Sequence, residues 1–186
     1  MKNWYWILIL IFVSLVVGYF SNQKGFETGR DFTAQMDSTN PKKWTNNKWG
    51  YEITFPGEWD SIKRDDPSVT STGADVFCSS KSGASTAVFI SPIIPNQTIN
   101  SAMDEILENY KQLGIIGGIE VLSKRDYSKD GLIYGIMIFK QKEYTHHYAI
   151  IFTNKIMLMI SSNAPNELFT ASKQDFESIV DSLKFF

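Results

Sequence analysis

Three apolar segments in the C-terminal half place the tightest constraint on the fold of this 186-residue chain. In 132–139, 150–152 and 156–160, apolar side chains occupy both alternating sets of positions. Successive side chains of a strand point to opposite faces of its sheet, so a sheet with one wet face would carry a polar residue at every second position. These segments therefore predict a sheet that is covered on both faces, and helices are the available cover.

The turns between the predicted strands indicate how the strands are connected. Ser128-Lys129-Asp130-Gly131 joins predicted strands at 119–127 and 132–141, and Asp-Gly is a strong hairpin signal. Further strands are predicted at 51–55, 76–80, 85–91, 144–153 and 156–162. Their short turns allow only antiparallel pairing. The sequence thus predicts an α+β fold, a three-layer α/β/α sandwich around a mainly antiparallel sheet.

Two amphipathic segments supply the predicted helices. The first covers 98–113, begins among the capping oxygens of Thr98, Asn100 and Ser101, and has apolar residues at intervals of three and four. This stripe consists of Ile99, Ala102, Ile106, Tyr110 and Leu113. The second helix covers 166–183, with Pro165 preset at its start. Its apolar face consists of Leu168, Phe169, Phe176, Ile179, Val180 and Leu183.

An uninterrupted apolar run from Trp4 to Phe20 precedes these elements. As a helix it would span about 25 Å, and its aromatic ends are typical of residues that sit at both membrane interfaces. It predicts a single-pass anchor in the cell membrane with an extracytoplasmic domain. Lys2 favours this orientation, whereas Lys24 and Arg30 after the run weaken the bias. The alternative is a cleaved signal and a secreted domain, because Val16 and Gly18 satisfy the small-residue cleavage rule.

The predicted organisation has three parts. Residues 1–20 form the membrane anchor or signal segment as one hydrophobic helix, 21–43 form a flexible polar spacer, and 44–186 form the folded domain. From Thr45 onward the chain has 13 Lys plus Arg against 17 Asp plus Glu, a net charge of −4. A domain of that sign repels phosphate backbones, so no nucleic acid is expected among its partners.

The side chains that could support catalysis are few. His146 and His147 are neighbours in a predicted strand and point to opposite faces, so the two cannot chelate one ion. Cys78 is the only cysteine, and its place in a predicted strand favours a small buried hydrophobe over a nucleophile. The serines, including Ser79 and Ser80, lie in no nucleophile-elbow motif. The sequence predicts no catalytic residues and no cofactor, and the protein is expected not to be an enzyme.

Other polar groups have weaker functional signals. Acidic residues cluster after the first strand, at Glu58, Asp60, Asp65 and Asp66. Carboxylates suit calcium, but this spacing matches no calcium-loop pattern and is typical of a solvated loop. Metal binding stays open. The glycine-rich segment 114–118 follows a helix and lacks the Lys of a phosphate loop, which indicates a helix stop.

Two segments carry a resemblance to a known family. Residues 49–59, WGYEITFPGEW, resemble the opening strand of PsbP-like domains, and 176–185, FESIVDSLKF, look like their closing helix and final turn. The order of strand pair, helix, long meander and last helix is similar as well. The family includes PsbP, Mog-type and DcrB-type proteins, and it implies a binding or assembly role without established catalysis.

The functional expectation combines these observations. We expect a non-enzymatic, membrane-tethered binding or assembly module with a PsbP-like fold, which contacts the membrane through its N-terminal helix and binds a protein of unknown identity. The alternative is an extracytoplasmic protein that binds a small ligand or a metal.

Overall fold

The computed structural model describes residues 35–37, 42–61, 73–112 and 118–186, which form eleven strands and two helices. The N-terminal strands are β1 (Gln35–Asp37), β2 (Lys42–Asn46), β3 (Tyr51–Phe55), β4 (Asp60–Ser61), β5 (Val76–Ser79) and β6 (Ser85–Pro92). Helix α1 (Ile99–Gln112) follows. The remaining elements are β7 (Ile119–Lys129), β8 (Leu132–Gln141), β9 (Tyr144–Phe152), β10 (Ile156–Pro165), α2 (Phe169–Asp181) and β11 (Lys184–Phe185).

The strands form two sheets, and every pairing is antiparallel. The large sheet has the order β4-β5-β6-β10-β9-β8-β7, and the small sheet has the order β1-β2-β3-β11. The predicted hairpin between β7 and β8 is confirmed, with Asp130 at φ 54° and Gly131 at φ 77°. Positive φ at both central residues matches the right-handed twist of the flanking strands.

Alternation along β8 shows that both faces of the large sheet are buried. Met137 packs with residues of α1, whereas its neighbour Ile136 packs in the cluster that includes Phe176 and Ile179 of α2. The helices therefore cover opposite faces, because neighbouring strand residues point to opposite sides. The predicted α+β fold, with mostly antiparallel strands and two helices, is confirmed.

The small sheet supplies part of the cover that the sequence assigned to helices alone. Trp44, Tyr51, Ile53 and Phe55 are buried in the same cluster as α2. The strands β2 and β3 are short and alternate buried with half-buried positions, as expected for strands with one buried face. Their apolar face thus packs beside α2 against the large sheet.

Both helices differ in detail from their predicted bounds. Pro165 ends β10 instead of starting α2, which begins at Phe169, so the prediction from a helix-starting proline was wrong. In α1 the buried side chains are Ile99, Ala102, Met103 and Leu107. The predicted stripe therefore missed Met103 and Leu107, while Ile106 and Tyr110 are half-buried at its border.

The N-terminal predictions fall largely outside the described residues, and the predicted anchor at 1–20 lies there entirely. Strand β1 and the first two residues of β2 belong to the segment that the sequence assigned to the spacer at 21–43. Strand pairing hence begins before the predicted domain boundary at Trp44. Neither helix of the described part has the length and apolarity required to span a membrane.

Candidate functional site

The two histidines lie on opposite faces of β9, as their spacing predicts. His146 stacks on Phe139, with ring centroids 4.8 Å apart, and also contacts the ring of Tyr110 on α1. His147 lies beneath α2, 6.1 Å from the ring of Phe176. The structure therefore does not bring the two imidazoles into one site.

Burial keeps both imidazoles neutral. Desolvation lowers the pKa of His146 and of His147 from 6.5 to about 4. The carboxylate of Glu177 opposes this shift at His147, while Lys173 and Arg125 add to it. Neither histidine is suited to general acid–base catalysis near neutral pH, since a pKa of about 4 leaves almost no imidazolium form and each ring packs against aromatic rings.

Cys78 is fully buried in β5. Desolvation raises the pKa of its thiol to about 12. The charge of Lys42 lowers this pKa by a smaller amount, and the charge of Asp60 raises it. A thiol with this pKa carries almost no thiolate at neutral pH, so it is inert as a nucleophile. The interpretation of Cys78 as a small core residue agrees with this environment.

The predicted acidic cluster is only partly described, because Asp65 and Asp66 lie outside the described residues. Asp60 is exposed and forms an ion pair with the half-buried Lys42, with 3.6 Å between Nζ and Oδ1. Glu58 is exposed. Among the described residues, no three His, Cys, Asp or Glu side chains are close enough to hold a metal ion. Of the glycine-rich segment, Gly118 alone is described, at φ 71°.

A buried carboxylate connects the two sheets, and the sequence analysis did not single it out. Asp75 is 1% exposed, just before β5. Its Oδ2 accepts hydrogen bonds from Trp44 Nε1 at 2.9 Å, from Asn46 Nδ2 at 2.8 Å and from the Tyr51 hydroxyl. Three donors on one oxygen balance the cost of burying the charge. In the sequence, Asp75 stands directly before an apolar strand, whereas its three donors belong to a different pair of strands. Only the fold brings these residues together, so the sequence alone gives no signal for the network.

The same network positions the turn between β2 and β3. Asn46 uses its other amide atom, Oδ1, to accept the backbone N–H of Trp49 at 2.9 Å. Gly50 follows at φ 67°, and a Cβ there would stand 2.5 Å from the carbonyl oxygen of Phe186. Gly50 also accepts the backbone N–H of Phe186 at 2.9 Å. The turn therefore holds Trp49 and Phe186 side by side.

These two residues border an open groove of about 530 Å³ at one end of the molecule, which we call the end groove. Its other walls are the start of β8, the turn between β9 and β10, and β11. The apolar members are Trp49, Leu132, Ile133, Phe152, Ile156, Phe185 and Phe186. Ile133 is 50% exposed and Phe186 is 72% exposed. Among the described lining residues, Lys155 alone is charged.

A second groove of about 440 Å³ runs between α2 and the surface of β7, β8 and β9, and we call it the helix groove. It is lined by Arg125, Tyr127, Ile136, His147, Glu177, Val180 and Asp181. Asp181 pairs with Lys129 at 2.9 Å, and Glu177 pairs with Lys173 at 3.7 Å. Within the described part of the chain, Arg125 has no ion-pair partner. The groove thus presents both signs of charge above a buried imidazole.

The structure defines a class of α+β domain. Its large antiparallel sheet has one helix on one face, and a helix and a small sheet on the other face.

No protein-family model matches the chain, and no curated protein matches it. Among solved structures, cyanobacterial PsbP (CyanoP) from Synechocystis is similar, with a TM-score of 0.62 and 16% identity over 77% of this chain and 91% of that one. The Saccharomyces cerevisiae Ran-binding protein Mog1p is also similar, with a TM-score of 0.54 and 13% identity over 78% of this chain and 95% of that one.

The structural similarity confirms the predicted resemblance at the level of the fold. The described domain has a PsbP/Mog1-type fold, although the sequence identities are low.

Proposed function

We propose that this chain is a non-enzymatic binding or assembly module that residues 1–20 hold at a membrane, with the folded domain outside the cytoplasm. The observation that carries the binding role is the helix groove. It is open, it lies on the large antiparallel sheet, and it presents Arg125 and Glu177 where a partner can reach them. The fold supports the proposal, since one of the similar structures is that of a protein described as Ran-binding.

The charges of the helix groove favour a protein partner. Arg125 offers a planar guanidinium that can take a carboxylate with two hydrogen bonds. Glu177 is exposed and its pairing with Lys173 is a surface ion pair, which contributes little to stability and can be exchanged for a partner's cation. Complementary charges of this kind supply specificity more than affinity. Tethering at the membrane then raises the local concentration, which compensates for weak contacts.

Photo-cross-linking in cells tests this role directly. A photoreactive side chain replaces Glu177 in the helix groove or, as the matched control, Glu108, which is exposed on α1 at the opposite face. We expect a discrete cross-linked species from position 177 and none from position 108. Removal of 1–20 should reduce the yield. Equal cross-linking from both positions would contradict partner binding at the helix groove. An undiminished yield without 1–20 would contradict a role of the tether in that binding.

The helix groove also supports the alternative, an extracytoplasmic protein that binds a small ligand or a metal. The Nδ1 atom of His147 is buried and has no hydrogen-bond partner among the described residues, which is costly unless something satisfies it. Native mass spectrometry of the purified protein distinguishes the two roles. A stoichiometric retained mass that is lost on Arg125→Ala favours the ligand, whereas clean apo protein in metal-containing buffer counts against it.

A further inference from the structure

The end groove combines exposed aromatic and aliphatic side chains with basic ones, and it lies apart from the helix groove. Ile133 and Phe186 are among the large apolar residues that the described surface exposes most. Ile94 is 43% exposed, two residues after the end of β6, and β6 ends where Pro92 pairs with Ile156 of the groove. Exposed apolar residues thus lie at this end of the large sheet from β8 to the segment after β6.

Basic residues border this apolar surface. Lys155 lines the groove on the turn between β9 and β10, and Lys48 lies beside the lining residue Trp49 on the turn between β2 and β3. Both side chains belong to exposed residues. Lys48 lies with its Nζ 5.5 Å from the ring centroid of Trp49. The nearest acid along the chain is Asp130, which precedes the lining residue Gly131.

The chain enters the domain at the same end. Strand β1 is antiparallel to β2, and Gln35 pairs with Thr45, whereas Asp37 pairs with Lys43, farther from the turn that carries Trp49. In the same row of paired residues across the small sheet, Thr45 pairs with Glu52 of β3, and Glu52 pairs with Lys184 of β11. Three strand spacings of about 4.8 Å place Gln35 roughly 15 Å from β11.

The length of chain before Gln35 limits how far this end can lie from a membrane. Fourteen residues, 21–34, separate the proposed anchor from Gln35. A chain of that length spans at most about 50 Å when fully extended, and about 20 Å as a flexible coil. With 1–20 as the anchor, the tether holds Gln35 within this distance of the bilayer surface, and the end groove lies at the same end of the domain as Gln35.

We propose that the end groove docks on an anionic lipid surface, with its aromatic and aliphatic residues at the headgroup boundary and Lys155 and Lys48 beside the lipid phosphates. Apolar side chains with flanking lysines are typical of proteins that lie on a bilayer without crossing it. Each lysine near an anionic surface strengthens such binding roughly fivefold. The inference rests on the proposed membrane tether, and it leaves the helix groove exposed to partners.

Depth-dependent fluorescence quenching in vesicles tests the docking. The full chain is reconstituted into vesicles of phosphatidylcholine with or without phosphatidylglycerol, and a fluorophore is attached at Ile133→Cys or, as control, at Tyr144→Cys. Tyr144 is 44% exposed and pairs with Gln141 and Pro165, at the opposite end of the large sheet. Cys78 is buried and does not compete for the label. Lipid-borne nitroxides should quench the probe at 133 strongly and the probe at 144 weakly, with a larger contrast in anionic vesicles.

Paired substitutions test the role of the lysines. Lys155→Gln with Lys48→Gln should lower the ratio of docked to free domain about fivefold per lysine in anionic vesicles. The control pair, Lys81→Gln with Lys140→Gln, removes two exposed charges from the opposite end and should leave the ratio unchanged.

The possible failures can be told apart. Release of the full chain from vesicles by alkaline washing would overturn the tether itself. If the chain stays on the vesicles but the probes at 133 and 144 are quenched equally, the docking alone would be overturned. The same holds if the quenching is independent of lipid charge. Quenching at neither position in vesicles, with the probe at 133 shielded only in native membranes, would overturn lipid as the occupant and indicate a membrane protein instead.

Discussion

At the scale of single residues, the structure depends most visibly on the carboxylate of Asp75. It is the shared acceptor for donors of β2 and β3, and its own backbone N–H binds the carbonyl of Val88 in β6 at 2.7 Å. One residue therefore fixes the small sheet against the large one. Because Asn46 also binds the N–H of Trp49, the same network determines where the turn at the end groove lies.

Asp75→Ala should destabilise the protein by about 3 kcal/mol, because buried donors lose a charged acceptor. Asp75→Asn should cost less, since it retains one carbonyl oxygen. Chemical denaturation of the full chain measures both changes. Asp126→Ala, at an exposed position of β7, is the control and should stay within about 0.5 kcal/mol of the parent. A neutral Asp75→Ala would show that the network does not join the sheets energetically.

Stability should fall with acid through the two buried histidines. Their folded-state pKa values of about 4 lie below the unfolded value of 6.5, so the unfolded chain binds more protons between these limits. The stabilisation is complete above pH 6.5 and is lost as the pH falls toward 4. The groups that face His147 are Glu177 and Lys173 on α2 and Arg125 on β7.

Unfolding free energies measured from pH 7 to pH 4 check this dependence. His147→Gln should flatten the profile by on the order of 2 kcal/mol over that range, and His146→Gln should flatten it less because that residue is only half-buried. A parent profile as flat as that of the double variant would contradict neutral burial of the imidazoles.

At the scale of elements, α1 packs on the large sheet through a contact that a small residue permits. Gly135 in β8 lies under the start of the helix, and a Cβ built there would overlap Cγ2 of Ile99 and stand 3.3 Å from the sulfur of Met103. Glycine usually weakens a strand interior. Here it lets the helix and the strand approach closely.

Gly135→Ala should therefore destabilise the protein by about 1–3 kcal/mol, despite the better strand propensity of alanine. Ile99→Leu removes the overlapping Cγ2 while it conserves volume. The double variant Gly135→Ala, Ile99→Leu should recover part of the loss in a double-mutant cycle. Additive effects, or a stabilising Gly135→Ala, would show that this contact does not limit the approach of α1.

The elements also show what sequence patterns reveal and what they miss. The hairpin of β7 and β8 was predicted because the Asp130-Gly131 turn between two predicted strands is a local signal. The start of α2 was misplaced because Pro165 fits the end of a strand as well as the start of a helix. Asp75 and the two grooves were not predicted, since they arise from segments that are distant in sequence. For instance, Trp49 and Phe186 meet only because β11 pairs with β3.

At the scale of the whole molecule, the N-terminal boundary of the domain can be tested by truncation. A chain that begins at Gln35 retains β1 and all of β2, including the ion pair of Lys42 with Asp60 and the hydrogen bond from Lys42 to the carbonyl of Trp59. We expect it to unfold cooperatively, and to melt a few degrees above a chain that begins at Trp44. Thermal unfolding by circular dichroism makes the comparison. Equal melting temperatures would indicate that 35–43 contribute nothing to the fold.

The position of β10 has a consequence for the order in which the domain forms. Strands β5 and β6 and strands β7 to β9 are joined by short turns, and β4 pairs with β5. In the described sheet these two groups are hydrogen-bonded only through β10. Residues 156–165 must therefore be synthesised, or threaded across a membrane, before either half acquires its neighbour. Until then each half exposes a long unpaired edge, which is the condition that favours aggregation and chaperone capture. A nascent chain stopped before Ile156 should thus stay protease-sensitive, although more than four-fifths of the sequence is already present.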